Sequence, residues 1–172
     1  MFNRREILTG GAAAGAVLVS GCLSRSSQGL VLSDKEAGTL AALCDQIIPA
    51  DEWPSASEAG VLTFIDRQLT GPYRRHRKAY RTGIEELNKL AQLRIGVDLG
   101  SGTALQQLDV ARALEQQNPA FFGMVRQHTM QGYYGSPRHG GNKDAVAYRM
   151  LGLDVPLLRG RAQFDLTTGS KS

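Results

Sequence analysis

The chain has 172 residues, of which 20 are Lys or Arg and 16 are Asp or Glu, so its formal net charge at pH 7 is +4. This excess of positive charge is too small to indicate a nucleic-acid partner. Without the predicted export signal, residues 1–21, the rest of the chain is long enough to bury a core and suits a single domain.

The first residues have the layout of an export signal. Arg4 and Arg5 precede an uncharged run rich in Gly, Ala and Val that ends at Cys22, and a charged start before a short apolar run is typical of secretory signals. The run has about 14 residues, fewer than the roughly 20 that span a bilayer, which argues against a transmembrane helix. The segment Asn3–Leu8 resembles the twin-arginine export signal, with mild departures at its first and fifth positions. We therefore expect export in the folded state to the periplasmic side of the envelope.

The end of the apolar run resembles a lipobox. Its residues are Val19-Ser20-Gly21-Cys22, and in a lipobox the cysteine is lipidated and becomes the new N-terminus. Acyl chains stabilise membrane association by about 0.8 kcal/mol per buried methylene, so two or more hold a domain at the membrane. The alternative is a plain signal with a cysteine there by chance. We predict a lipidated Cys22 and a flexible, Ser-rich tether over residues 22–32.

Hydrophobic periodicity predicts an all-α fold, a small irregular bundle of about five to six helices over residues 33–153, followed by a tail over residues 154–172. Ser33 and Glu36 form a capping box at the start of the first helix, which ends at Pro49. Cys44 lies on the apolar face of this helix. If Cys22 carries lipid, Cys44 is the only thiol left, and we expect it to be buried; the alternative is a disulfide between subunits.

Two further helices are predicted over residues 59–69 and 73–93, separated by Gly71-Pro72. Five cations crowd the start of the third helix, where they oppose the helix macrodipole. They form either a solvated surface or a patch for an acidic partner or for lipid headgroups. These cations are Arg74, Arg75, Arg77, Lys78 and Arg81.

Apolar residues alternate over residues 93–99, a pattern that fits a short strand or a loop. A fourth helix is predicted over residues 105–116, and Asn118-Pro119 starts a fifth with proline at its first position. A glycine-rich loop over residues 132–142 precedes a short last helix over residues 144–151.

The sequence contains no motif for catalysis or cofactor binding. It has no C-x-x-C-H haem signature, no dinucleotide-binding glycine motif outside the signal, no P-loop, no H-E-x-x-H and no cysteine cluster. His76 is expected to face solvent, and a metal site from His128 and His139 would need a third ligand. The acidic residues 51–52 are expected to solvate a loop, and Ser136 lacks the nucleophile elbow. We therefore predict no catalytic, cofactor-binding or metal-binding residue in this chain.

The glycine-rich loop is the segment whose sequence indicates most about function. Tyrosine and arginine are enriched at protein interfaces, and its glycines indicate backbone angles or close approaches that side chains would forbid. Asn142 is placed to cap the helix that follows. The loop is either an ordinary connection or a shaped docking loop. The predicted docking residues are Tyr133, Tyr134, Gly135, Pro137, Arg138, Gly140, Gly141 and Asn142.

Residues 132–137, with the sequence GYYGSP, and residues 140–144, GGNKD, resemble the signature of the gluconate 2-dehydrogenase subunit 3 family. The Phe121-Phe122 helix and the first helix, which ends in Ile-Ile-Pro, fit the same family, and the resemblance covers residues 33–153. The chain departs from the family at Tyr148, where Trp is common, and in its lipobox cysteine, which is not general there.

The resemblance implies the non-catalytic small subunit of a membrane-associated, FAD-dependent dehydrogenase of alcohols or sugars. The large partner subunit would hold FAD and oxidise the substrate, and in many such complexes a c-type cytochrome with several haems passes electrons to quinone. The small subunit would bind the large one, assist its maturation and supply the export signal. The alternative function is a stand-alone binding lipoprotein of the envelope.

Overall fold

A computed structural model of the protein describes residues 31–153. The predicted signal over residues 1–21, the lipidation site Cys22, most of the tether and the tail over residues 154–172 lie outside the described residues. Within residues 31–153 the chain forms six α-helices and four short 3₁₀ turns, without a strand. The all-α class expected from the sequence is confirmed for this part of the chain.

The helices lie close to the predicted positions, and each bound differs by only a few residues. A 3₁₀ turn, Arg74–His76, precedes the third helix, and two more, Pro137–His139 and Lys143–Ala145, lie between the last two helices. The helices are α1 (Asp34–Ile47), α2 (Val61–Thr70), α3 (Arg77–Ile95), α4 (Ala104–Gln117), α5 (Pro119–Tyr134) and α6 (Val146–Met150).

The starts of α1 and α5 are fixed by side chains that the sequence identifies. Ser33 N donates to a Glu36 carboxylate oxygen at 2.8 Å, and Ser33 Oγ accepts from Glu36 N at 3.3 Å. This pair of bonds confirms the capping box of α1. At the start of α5, Asn118 Oδ1 accepts from Phe121 N at 3.0 Å and Pro119 is the first helical residue, also as predicted.

Two local predictions need correction. Leu93 and Ile95 belong to α3 instead of a strand or loop, and Gly96, with a φ of +72°, ends the helix. Alternating apolar residues over so short a stretch also fit a helix end. The last helix starts at Val146, later than predicted, because Asp144 and Ala145 both have a φ of +55° and so cannot belong to a right-handed helix.

The core is built around α1, which lies against α2, α3, α4 and α5. Leu40, Leu43 and Cys44 on α1 have no exposed surface, and neither has Leu87 on α3. Fully burying a leucine side chain contributes about 1.5–3 kcal/mol. This central position explains why the apolar face predicted for the first helix runs along most of its length. None of the helices within residues 31–153 is long and apolar enough to cross a membrane.

The end of α5 lies beside the start of α2. The two helices pack against each other, and a Cβ at Gly132 would lie 2.9 Å from the ring of Phe64 on α2. Past the end of α5, the backbone N of Lys143 donates to the carbonyl of Ala59 at 2.9 Å. These contacts fix residues 135–142, hereafter the glycine loop, against the N-terminal end of α2.

Candidate functional site

Tyr133 joins the end of α5 to the loop before α2. Its side chain is 1% exposed, and its hydroxyl donates to the carbonyl of Pro54 at 2.8 Å. It was predicted as a docking residue on the basis of its type, and the structure instead places it inside the fold. A tyrosine serves a core as well as an interface, because its ring is apolar and its hydroxyl needs only one partner.

Asn142 closes the glycine loop from within. Its side chain is fully buried; Nδ2 donates to the carbonyl of Gly135 and Oδ1 accepts from Ala147 N, both at 2.8 Å. The sequence predicted Asn142 as the cap of the last helix; the N-cap of α6 is instead Ala145, and Asn142 contributes the second bond to the first turn of that helix from three residues earlier. Its buried amide is not presented to a partner, contrary to its place in the predicted docking face.

The glycines of the loop meet two different requirements. Gly140 has a φ of +100°, in the left-handed region that favours glycine. A Cβ at Gly141 would lie 2.1 Å from the carbonyl oxygen of Gly132, and one at Gly135 would lie 2.3 Å from that of Gln131. Backbone angles and close approaches, the two alternatives expected from the sequence, therefore both occur.

Gly60 completes this set from another part of the chain. It precedes α2 with a φ of +82°, and a Cβ on it would lie 2.9 Å from the carbonyl oxygen of Gly140. Gly60 was not among the residues predicted from the sequence, because Gly140 is about 80 residues away along the chain and the contact between them is visible only in the fold. A glycine immediately ahead of an apolar helix was the available signal.

The backbone after the loop is strained. Asn142, Asp144 and Ala145 have φ values of +47°, +55° and +55°, and a non-glycine residue in this region costs roughly 1–2 kcal/mol. Two bonds hold the strained backbone in place, from Lys143 N to Ala59 O and from Ala145 N to Asn142 O, both 2.9 Å. Strain of this kind clusters at functional sites, which supports a functional reading of the segment.

Five of the eight predicted docking residues reach the surface, and two of these, Gly135 and Gly140, do so only in part. Tyr134 is 37% exposed, Arg138 is exposed and Pro137 is partly buried. The ring of Tyr134 packs edge-on against Tyr133, with 5.0 Å between centroids, and Arg138 Nε donates to His139 Nε2 at 3.2 Å. The loop therefore presents an aromatic ring and a guanidinium on a backbone held by glycines and by Asn142. Binding of a partner here stays a prediction.

A cleft of about 290 Å³ lies beside the strained segment, between it and the turn before α2. Its charged lining residues are of both signs: Glu58, Lys143, Asp144 and Arg149. A pocket of this size is at the lower end for small-molecule sites, and its mixed charges suit polar contacts of a protein segment.

Cys44 is buried, as expected. Its thiol has no exposed surface and accepts a hydrogen bond from Thr129 Oγ1 at 3.3 Å. Burial raises the pKa of the thiol to about 12, and only the thiolate form is reactive. The alternative of a disulfide between subunits is therefore wrong for this fold, in which Cys44 is a packing residue.

His128 lies in an aromatic stack. Its ring is 4.2 Å from that of Tyr73 and 5.9 Å from that of Tyr80, nearly parallel to both, and Nδ1 is 2.9 Å from the Tyr80 hydroxyl. Burial lowers the pKa of His128 to about 4, and the neighbouring His76 adds to this effect. His76, which was expected to face solvent, is partly exposed and packs edge-on against Tyr73. Among the residues that the structure describes, no group of three or more His, Cys, Asp and Glu could hold a metal ion.

No curated protein and no solved structure matches the chain. A family model described as Gluconate 2-dehydrogenase subunit 3 matches residues 34–154, well over half of the chain. The matched range contains all six helices described above, the glycine loop and the strained segment. The chain therefore belongs to the gluconate 2-dehydrogenase subunit 3 family, and this membership implies one subunit of a dehydrogenase complex of that type.

Proposed function

We propose that the chain is the non-catalytic small subunit of a membrane-associated, FAD-dependent alcohol or sugar dehydrogenase of the gluconate type. The family match over residues 34–154 carries the proposal. The large partner would hold FAD and oxidise the substrate, and a c-type cytochrome would accept the electrons in complexes that contain one. The thiol of Cys44 and the imidazole of His128 agree with this division of labour, because both are buried as packing groups.

The glycine loop is proposed as the docking site for the large subunit. Asn142 bonds the first residue of the loop, Gly135, and the first turn of α6 at Ala147, and Gly141 lies so close to Gly132 that a Cβ on it would be 2.1 Å from the Gly132 carbonyl oxygen. A surface formed before binding spares the complex the cost of ordering it. Tyr134 and Arg138, the residue types most often found at the centre of interfaces, would supply the contacts.

The export signal is proposed to serve the partner as well. The twin-arginine route requires a folded cargo, and the described part of this fold can form in a reducing cytoplasm because its one cysteine is a free, buried thiol. A flavin subunit without a signal of its own could then cross the membrane bound to this one. Lipidation of Cys22 would hold the complex on the periplasmic side.

Purification from native membranes tests the proposal. The protein, tagged at its C-terminus, would be isolated after detergent solubilisation. Co-purification of a large flavin-containing chain with dye-linked dehydrogenase activity is the expected result, and a substrate screen on that complex would identify the alcohol. Recovery of the protein alone would contradict the subunit role and leave the stand-alone binding lipoprotein as the better hypothesis.

The export role needs a separate test. Replacing Arg4 and Arg5 by lysine should leave both this protein and the flavin chain in the cytoplasm, because the twin-arginine route depends on the pair. The matched control is Arg25→Lys, a cation outside the signal. Normal export of the flavin chain from cells with the double-lysine variant would mean that it travels independently.

A further inference from the structure

The five cations at the start of α3 are all exposed. Arg74 and Arg75 lie in the 3₁₀ turn that precedes α3, and Lys78 and Arg81 are three residues apart in its first turns. Within residues 31–153 the ion pairs join Lys35 to Asp98 and Arg94 to Asp109, so none of these five cations has a carboxylate at ion-pair distance. The cluster Arg74, Arg75, Lys78 and Arg81 is called the basic face below.

The charges of the basic face are unfavourable where they stand. The first turn of α3 contains no acidic residue, although the positive end of the helix dipole favours one there. Like charges one turn apart on a helix repel each other as well. An anionic surface placed against this end of α3 would relieve both effects.

The basic face lies beside the point where the chain enters the fold. Val31 N and Leu32 N donate to Asp66 on α2 at 3.0 and 3.1 Å. One turn further along α2, the carbonyl of Leu69 accepts from Arg77 Nε at 2.6 Å. The entry point and the start of α3 therefore contact positions of α2 that are one helical turn apart.

One cation of the basic face, Arg81, acts on a carboxylate in the first turn of α1. Glu36, three residues after the capping Ser33, has a lowered pKa, chiefly from its hydrogen bond with Ser33 and in small part from the charge of Arg81. Arg81 is thus partly balanced, and it marks the edge of the basic face. Its centre is formed by Arg74, Arg75 and Lys78.

The sequence limits how far this face can be from a membrane anchor. Nine positions separate Cys22 from Val31, which corresponds to at most about 30 Å of extended chain. Electrostatic attraction to a charged bilayer acts within a Debye length of about 8–10 Å, and a short tether raises the effective concentration of the surface. An anchored domain would therefore meet the headgroups with this face repeatedly.

We propose that the basic face, centred on Arg74, Arg75 and Lys78, is a contact surface for anionic phospholipid headgroups. The inference rests on the proposed anchor at Cys22 for its biological setting. Bound in this way, the domain would have a fixed orientation on the membrane.

Vesicle binding without the anchor tests the electrostatic contact alone. The chain from residue 22 onward, with Cys22→Ser, retains every core residue described and cannot be lipidated. It would be sedimented with vesicles of phosphatidylglycerol mixed equally with phosphatidylcholine, and with pure phosphatidylcholine vesicles, over a range of salt concentrations. The test variant is Arg74→Gln with Arg75→Gln and Lys78→Gln. The control removes three exposed cations elsewhere, by Lys89→Gln, Arg112→Gln and Arg126→Gln.

Binding should require phosphatidylglycerol and weaken as salt rises. The test variant should lose affinity by about fivefold per cation removed, while the control changes less than threefold and both variants keep the thermal unfolding temperature of the parent. Absence of binding to anionic vesicles at low salt would overturn the proposal and favour an acidic protein as the occupant. Equal losses in the two variants would overturn it too, because net charge alone would explain the binding. Neither outcome bears on the family role, which co-purification of the flavin chain tests.

Discussion

Single atoms decide the path of the glycine loop. The carbonyl oxygen of Gly132 occupies the space that a side chain at Gly141 would need, and the amide of Asn142 joins Gly135, at the start of the loop, to Ala147 in α6. Removing a buried hydrogen-bond partner costs about 1–3 kcal/mol. Buried residues of the loop, Gly141 and Asn142, thus determine which side chains the loop exposes at the surface.

Gly141→Ala should destabilise the fold by about 1–3 kcal/mol, because the added methyl group would lie 2.1 Å from a backbone oxygen that cannot rotate away. Urea unfolding measures this change. Gly123→Ala is the matched control: Gly123 lies in the middle of α5 with open space around its Cβ position, so that variant should be more stable by about 0.5–1 kcal/mol. An unchanged unfolding free energy for Gly141→Ala would show that the backbone can move apart here.

His128 makes stability depend on pH. Its pKa in the fold is about 4, against about 6.5 when unfolded, so the unfolded state binds more protons between these values. The contribution of His128 to the free energy of unfolding should therefore be constant above about pH 6.5. It should fall as the pH approaches 4, by up to about 3 kcal/mol.

The measurement is the free energy of unfolding from pH 7 to pH 4.5 for the parent and for His128→Gln. Carboxylates titrate equally in both proteins, so the difference between the two curves isolates the imidazole. The parent should lose more stability than the variant as the pH falls. Parallel curves would mean that His128 is already solvated or charged in the fold.

At the scale of elements, the junction into α6 combines a short helix with strained residues. Ala145 has a φ of +55°, where glycine is free of the steric cost that alanine carries. Ala145→Gly should therefore stabilise the protein by about 0.5–1 kcal/mol, although alanine-to-glycine changes in helices normally destabilise by that amount. Ala79→Gly, at an exposed position of α3, should show the normal sign under the same denaturant titration. Destabilisation at both positions would show that the backbone at Ala145 is not strained.

The elements themselves were largely predictable from the sequence, because apolar spacing and caps are local. Ser33 and Asn118 mark helix starts that the structure confirms. The end of α3 was ambiguous, since a few alternating apolar residues fit a strand as well as a final helical turn. The left-handed residues Asp144 and Ala145 left no local signal, and the bond that joins this segment to a distant part of the chain, from the neighbouring Lys143 N to the carbonyl of Ala59, is visible only in the fold.

The site was predictable in its glycines but not in its side chains. Gly140 and Gly141 are consecutive, and glycine permits backbone angles and close contacts that other residues do not. Their conformational role could therefore be expected from the sequence alone. Tyr133 and Asn142 belong to types that occur at interfaces and in cores, and only the packing of α5 against α2 shows that they are buried. Burial of this kind depends on which distant residues meet, and no local pattern carries that information.

At the scale of the whole molecule, two exposed surfaces compete as the docking site for the large subunit. One is the glycine loop, with Tyr134 and Arg138. The other is the end of the bundle where α3 and α4 meet, near which Leu93 is 84% and Leu105 is 80% exposed. Exposed apolar side chains of this size are candidates for contacts with other proteins, so each surface provides the matched control for the other.

The double variant Tyr134→Ala and Arg138→Ala should reduce recovery of the flavin chain at least tenfold, because interface tyrosines and arginines commonly contribute more than about 1 kcal/mol each. Its unfolding free energy should stay within about 0.5 kcal/mol of the parent, since both side chains are exposed. The control Leu93→Ala with Leu105→Ala should retain the partner. Loss of the partner only in the leucine variant would place the docking site at the α3–α4 end and leave the strain at Ala145 without a binding role. Loss of the partner in both variants would mean that the large subunit contacts both surfaces.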